Sequence, residues 1–244
     1  MSRSSVRAAQ RGTSRGTGRT PKPRAPLTRE RVLAAGVRLA DKGGLESLSM
    51  RKLAQALRVE AMSLYKHVPS KPALLELLVE RVLADIAPPP ARAAWEPRVR
   101  HVANELRRVS LAHPHVFPLL ATRVPASPQA LAPLEVLLAA LLDAGLDEAT
   151  AVRHFWTLVG WATGALLAET AAATGAGTAT LAVPPDLDAA AFPAFARLGG
   201  AIAGCDFAEE YARGLDVLTA AVKAAAPPLR RARRARAPRR RPRA

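Results

Sequence analysis

At 244 residues and 49% hydrophobic content, the chain is long enough for one large or two small domains and apolar enough to bury a core. Its formal net charge of +16 points towards nucleic acid as a partner. Its single cysteine, Cys205, excludes an intramolecular disulfide and a multi-cysteine metal site, as suits a reducing compartment.

Residues 1–26 are dominated by Arg, Ser, Gly, Thr and Pro, a composition that cannot bury a core and predicts a disordered basic tail. They hold no apolar run, so no secretory signal is expected. Thr28 then caps a helix whose Val32, Leu33, Ala35, Gly36, Leu39 and Ala40 share one stripe, and Gly43-Gly44 ends it. Ser49 caps a short helix over 50–57, and a second short helix follows over about 60–66. Pro69 closes that segment, and Ser70 caps a fourth helix whose Leu74, Leu75, Leu78, Val82 and Ile86 recur at helical spacing.

Pro88-Pro89-Pro90 marks a break, after which helices are predicted over 95–112, 129–144, 148 to about 171, about 190–200 and 207–225. His113 to Pro118 reads as a turn and 172–189 as a small-residue loop. The helix from Glu148 is apolar nearly all round, which predicts burial on more than one side. Its longest apolar run, 155–168, is 14 residues and too short to cross a bilayer, so a soluble, cytoplasmic, nucleoid-associated protein is expected. No segment alternates as a strand does, and the predicted fold class is all-α. Four regions result: a basic tail over 1–26, a helix-turn-helix head over 27–72, a larger helical body over 73–226, and a disordered Arg-rich tail over 227–244.

The charge follows these divisions. Residues 1–24 hold seven bases and 229–244 nine arginines, with no acid in either. Residues 28–71 carry nine bases against four acids, whereas 72–228 carry eleven against sixteen. A basic head therefore precedes an acidic body.

Short helix, brief turn, short helix is the layout that places a recognition helix in the DNA major groove. Segments this short do not persist alone, so Leu53, Ala54, Leu57, Val59 and Leu64 are expected to pack against the flanking helices. The opposite face, Arg51, Ala61, Met62, Ser63, Tyr65, Lys66 and His67, is left for DNA. Tyr65 and His67 suit phosphate oxygens, Arg51 a guanine edge, and Ala61 and Met62 thymine methyls. Lys71 with the free amides of the fourth helix suits a phosphate clamp. Thr28, Ser49 and Met50, around the starts of the first two helices, complete the candidate set.

The stretch LSMRKLAQALRVEAMSLYKHVPSKPALLELL resembles the pattern of TetR-family repressors over some thirty residues. One departure is Arg58, where the family usually has Gly in the turn. A weaker resemblance, to the tetracycline-repressor-like C-terminal domain, continues through Trp95 and Leu120-Ala-Thr-Arg-Val-Pro125. The resemblance implies a homodimer formed through the helices around 148–171 and 207–225, with Gly160, Gly164 and Gly214 permitting close helix approach. It also implies an effector that binds each body and moves the two heads apart on a palindromic operator in double-stranded DNA. The family's magnesium-holding His is absent before Thr122-Arg123, so tetracycline is not the expected ligand.

His113, Phe117, Thr122, Arg123, His154, Trp161 and Glu169 are the candidates for an effector pocket. Buried unpaired, Glu169 and His154 would be costly, which favours a pocket or an interface for both. Trp156 and Trp161 read first as core or interface residues, and Cys205 as a buried small residue. His113 and His115 lack a nearby carboxylate or Cys, so no metal site and no cofactor are expected. Nothing combines a nucleophile with a base, so the expected function is a small-molecule-responsive repressor and not an enzyme. The rival is a constitutive, nucleoid-type DNA-binding protein whose basic tails dominate binding.

Overall fold

In the computed structural model, most of the α-helices among the described residues start at side-chain caps. The structure describes residues 26–123, 125–175, 184 and 186–227, so the tail regions over 1–25 and 228–244 and half of the 172–189 loop lie outside the described residues. Thr28 accepts from the Arg31 amide and starts α1, Arg29–Gly43. Ser49 accepts from Lys52 and starts α2, Met50–Leu57. After α3, Ala61–Tyr65, Ser70 accepts from Ala73 and starts α4, Lys71–Leu83. Each such cap contributes about 1 kcal/mol by satisfying an amide the helix itself cannot.

The body follows as α5, Trp95–Ala112; α6, Pro128–Asp143; α7, Glu148–Thr174; α8, Pro193–Ala203; and α9, Phe207–Ala225. No strand occurs among the described residues. The boundaries of α5 and α9 agree with the predicted ones. The α8 helix starts three residues late because its first turn begins at Pro193, a residue favoured at helix starts. The predicted turn after α5 leads into a 3₁₀ stretch over Phe117–Thr122. Cys205, expected to be buried, is exposed, since it lies in the link between α8 and α9 where α8 offers little cover.

Leu48, Leu53, Leu64, Val68, Leu74 and Leu78 are fully buried together, which joins α2 and α3 to α1 and α4. Full burial of a leucine stabilises by about 1.5–3 kcal/mol, so α3, only five residues long, owes its existence to Leu64. Helices α1 and α4 touch at Gly36, where an added Cβ would lie 2.9 Å from a Leu78 methyl. A second core holds α5, α6, α7 and α9 together around Val99, Leu137, Leu141, Phe155 and Leu215.

Arg58 is the only non-glycine residue with positive φ among the described residues, at φ 55° and ψ 48°. Its backbone N–H bonds back to the end of α2, so the turn needs the left-handed conformation at the position where the sequence offers arginine. A side chain there costs about 1–2 kcal/mol, partly offset because glycine loses more freedom on folding. Arg58→Gly is therefore expected to stabilise the head by about 0.5–1 kcal/mol, read as a raised urea midpoint at unchanged slope.

The α4–α5 link is clamped from α5. Glu105 accepts from the Ala87 amide at 2.9 Å and from Arg108, and Arg108 donates to the Asp85 carbonyl at 2.7 Å. The Arg108 guanidinium, and then the Ala87 N–H, hold the Glu105 carboxyl down at about 2 against an ordinary 4.5. A depressed carboxyl stabilises the fold above its unfolded value and ceases to do so as pH falls through the folded one. The stability lead of the wild type over Glu105→Gln should thus be full at pH 7 and fade between about pH 4.5 and 2. Paired unfolding curves across that range test it, and a pH-independent gap would contradict it.

Candidate functional site

Two features concentrate chemistry: the outer face of α2 and α3, and a cavity inside the body. On the first, Leu64 is fully buried while Met62 is 75% exposed and Tyr65 and Lys66 are exposed beside it. That contrast turns one side of the five-residue helix outwards. Arg51 and Lys71 are also exposed. Ala61, Ser63 and His67 are half-buried, as are Ser49 and Met50, and both Met50 and Ala61 pack partly on the head core. Thr28 is exposed and already accepts a hydrogen bond as a cap.

One expectation needs correction. The start of α4 does not present a full set of free amides, because Pro72 has no N–H and Ser70 Oγ takes the Ala73 N–H at 3.2 Å. In that first turn only the Lys71 amide is left for an anion, so the charge on its side chain matters more than the helix end.

The cavity, about 250 Å³, lies between the end of α4 and helices α5, α6 and α7. Leu83 and Ile86 reach it from α4 and the residues just after it, Val102 and Leu106 from α5, Leu134 and Leu137 from α6. Trp156 and Trp161 reach it from α7. Among the described residues its lining is aliphatic or aromatic apart from Arg123 and Thr163.

Of the sequence-predicted pocket residues, Arg123 and Trp161 line this cavity and the others are placed elsewhere. His113 pairs through Nδ1 with Asp41 of α1 at 3.0 Å, which makes it a contact between head and body. Phe117 is buried against Leu166 and Tyr211. Thr122 is exposed, its hydroxyl donating to the Leu119 carbonyl. His154 is half-buried on α7 outside the lining.

Glu169 is buried but not unpaired. Arg107 of α5 donates to both of its carboxylate oxygens, at 2.9 and 2.5 Å, and lies 6.0 Å from the centre of the Tyr211 ring. Burial raises the Tyr211 phenol well above its ordinary range, and its hydroxyl donates to the Ala103 carbonyl. Neither Arg107 nor Tyr211 stood out in the sequence, where nothing marks a partner 62 residues away. The aliphatic walls of the cavity carry no signal either, since a wall leucine and a core leucine have the same helical spacing.

The three glycines differ in setting. Gly160 and Gly164 are exposed on α7 with open space where a side chain would stand. Gly214 instead faces Trp161 of the same chain, where an added Cβ would come within 2.5 Å of the indole. The close approach it permits is between α7 and α9 within one chain.

A family model described as "Bacterial regulatory proteins, tetR family" matches residues 32–78, and one described as "Tetracyclin repressor-like, C-terminal domain" matches 87–226. The chain is 37% identical over 144 residues to an HTH-type transcriptional regulator of Saccharopolyspora erythraea, covering 59% of this chain and 61% of that one. It is 36% identical over 157 residues to the HTH-type transcriptional repressor DrrR1 of Streptomyces coeruleorubidus, covering 61% and 57% respectively. The chain thus spans about three fifths of the length of these relatives. Among solved structures, it is similar to the TetR family protein ActR of Streptomyces coelicolor in complex with actinorhodin. That match has a TM-score of 0.70 and 29% identity, covering 84% of this chain and 100% of the other.

Proposed function

The chain belongs to the TetR family of bacterial regulatory proteins, and from that premise we propose that it is a DNA-binding transcriptional repressor released from its operator by a small-molecule effector. The observation that carries this reading is the course of α4. Its Leu74 and Leu78 lie in the head core, while Leu83 and the following Ile86 line the body cavity. A ligand entering the cavity presses on the end of a 13-residue helix whose first residue, Lys71, stands beside the recognition face. The Gly36–Leu78 contact makes α1 follow α4, so the head moves as a unit.

Other contacts make the coupling stiff. The Glu80 carboxylate accepts from the Ala126 and Ser127 amides, which ties α4 to the loop before α6. The Asp41–His113 pair ties α1 to the end of α5. Differential affinity of the effector for two head positions is all that release requires.

Exposed apolar side chains support a homodimer. Trp156 is 65% and Val217 63% exposed, on α7 and α9, and Gly160 and Gly164 add open backbone to the α7 surface. Phe192, Phe195 and Leu198 are exposed along α8. Apolar surface on this scale is characteristic of an interface, and two-fold symmetry would set two α3 helices on the halves of a palindrome. The naming of one relative as a repressor and the actinorhodin complex of ActR support the regulatory and effector parts of the reading. The reading assigns the chain no catalysis.

The experiment is a genomic-fragment binding selection at physiological salt, run on the full chain and on residues 25–228. Both should enrich one palindromic sequence. Enrichment of unrelated fragments by the full chain, with none bound by the shorter one, would instead identify a constitutive binder driven by its tails.

A further inference from the structure

The cavity's lining also narrows what fits it, given that it is an effector site at all. We propose that it takes a ring-bearing, largely apolar organic anion whose anionic group pairs with Arg123. Arg123 is the one charged residue in the lining among the described residues. The other partly buried arginines of the body already face carboxylates: Arg81 pairs with Glu30 and Asp85, Arg98 with Asp143, Arg100 with Glu96 and Asp216, and Arg107 with Glu169. Arg123, also partly buried, has no carboxylate partner among the described residues. Among the described residues its guanidinium donates only to the Thr122 hydroxyl, at a long 3.3 Å.

A guanidinium with spare donors beside an apolar cavity selects for an oxyanion, because each unmet N–H is costly once ligand displaces its water. The same residue selects against cations, as the lining holds no carboxylate. Thr163, the other polar residue there, suits a hydroxyl or carbonyl on the ligand. Rings are favoured by the walls. Phe155 and Trp156 meet edge to face at 5.3 Å, and Trp161 is held in place by stacking on the buried Tyr211 at 4.8 Å.

The test uses two fluorescent probes with one ring framework on the full chain: 8-anilinonaphthalene-1-sulfonate, an anion, and the neutral N-phenyl-1-naphthylamine. Energy transfer from tryptophan and mutual displacement of the probes report a shared site. Arg123→Gln should weaken the sulfonate about tenfold and change the neutral probe by less than about twofold, with Arg123→Lys within about threefold of wild type for both. Sulfonate binding that is indifferent to Arg123→Gln overturns the proposal while the cavity reading stands. So does a loss shared equally by both probes, or a loss as large in Arg123→Lys. Failure of both probes to bind overturns the cavity reading and this proposal with it.

Discussion

Replacing Tyr65 and Lys71 together by alanine is expected to lower operator affinity about 100-fold, the loss of two contacts at roughly 1–1.5 kcal/mol each. The chain should still fold normally, because both side chains point away from the core. Tyr65 is 43% exposed and Lys71 is exposed at the first position of α4, while the neighbouring Leu64 and Val68 are fully buried. The head packing that makes α3 possible is therefore untouched. Removing one lysine from the phosphate contacts should also flatten the dependence of log affinity on log salt by about one unit. Titration of the selected palindrome at several salt concentrations, with a thermal melt of the same variant, measures both effects. An affinity unchanged by the double substitution would mean that the outer face of α3 is not the recognition surface.

The largest effect on stability is expected at the Arg107–Glu169 pair. Arg107→Leu leaves a carboxylate whose side chain is 11% exposed with no other donor among the described residues. Removing one partner of a buried pair costs about 3–5 kcal/mol, and the 29% exposure of Arg107 lets water recover some of this, so about 2–3 kcal/mol is expected. The double variant Arg107→Leu, Glu169→Leu should regain most of it, since two apolar side chains leave no charge to desolvate. Urea unfolding of the two variants decides the matter. Equal losses in both would show that the pair acts through packing against Tyr211 rather than through charge.

Both predictions bear on how much was legible beforehand. The head was readable because its chemistry repeats over three or four residues. Thr28, Ser49 and Ser70 each cap an amide three positions on, and Leu53, Ala54 and Leu64 fall on the faces their spacing dictates. The same local rules set the limits of α5 and α9. Arg58 was marked only by its departure from the glycine usual in the family, and the backbone geometry showed that the position takes a left-handed conformation.

By itself, then, the sequence determined an all-α chain, a helix-turn-helix head and the outward face of α3, all from interactions within a helical turn or two. Tertiary structure decided the rest. It joined Asp41 to His113 across 72 positions and Arg107 to Glu169 across 62, turned Gly214 onto Trp161, left Cys205 exposed, and drew residues of α4, α5, α6 and α7 around one cavity with Arg123. The physical reason is that capping and periodicity are local and leave a pattern in the chain. Which leucine faces a void, and which carboxylate meets which guanidinium, depends on how helices cross, and residues far apart in the chain carry no mark of that.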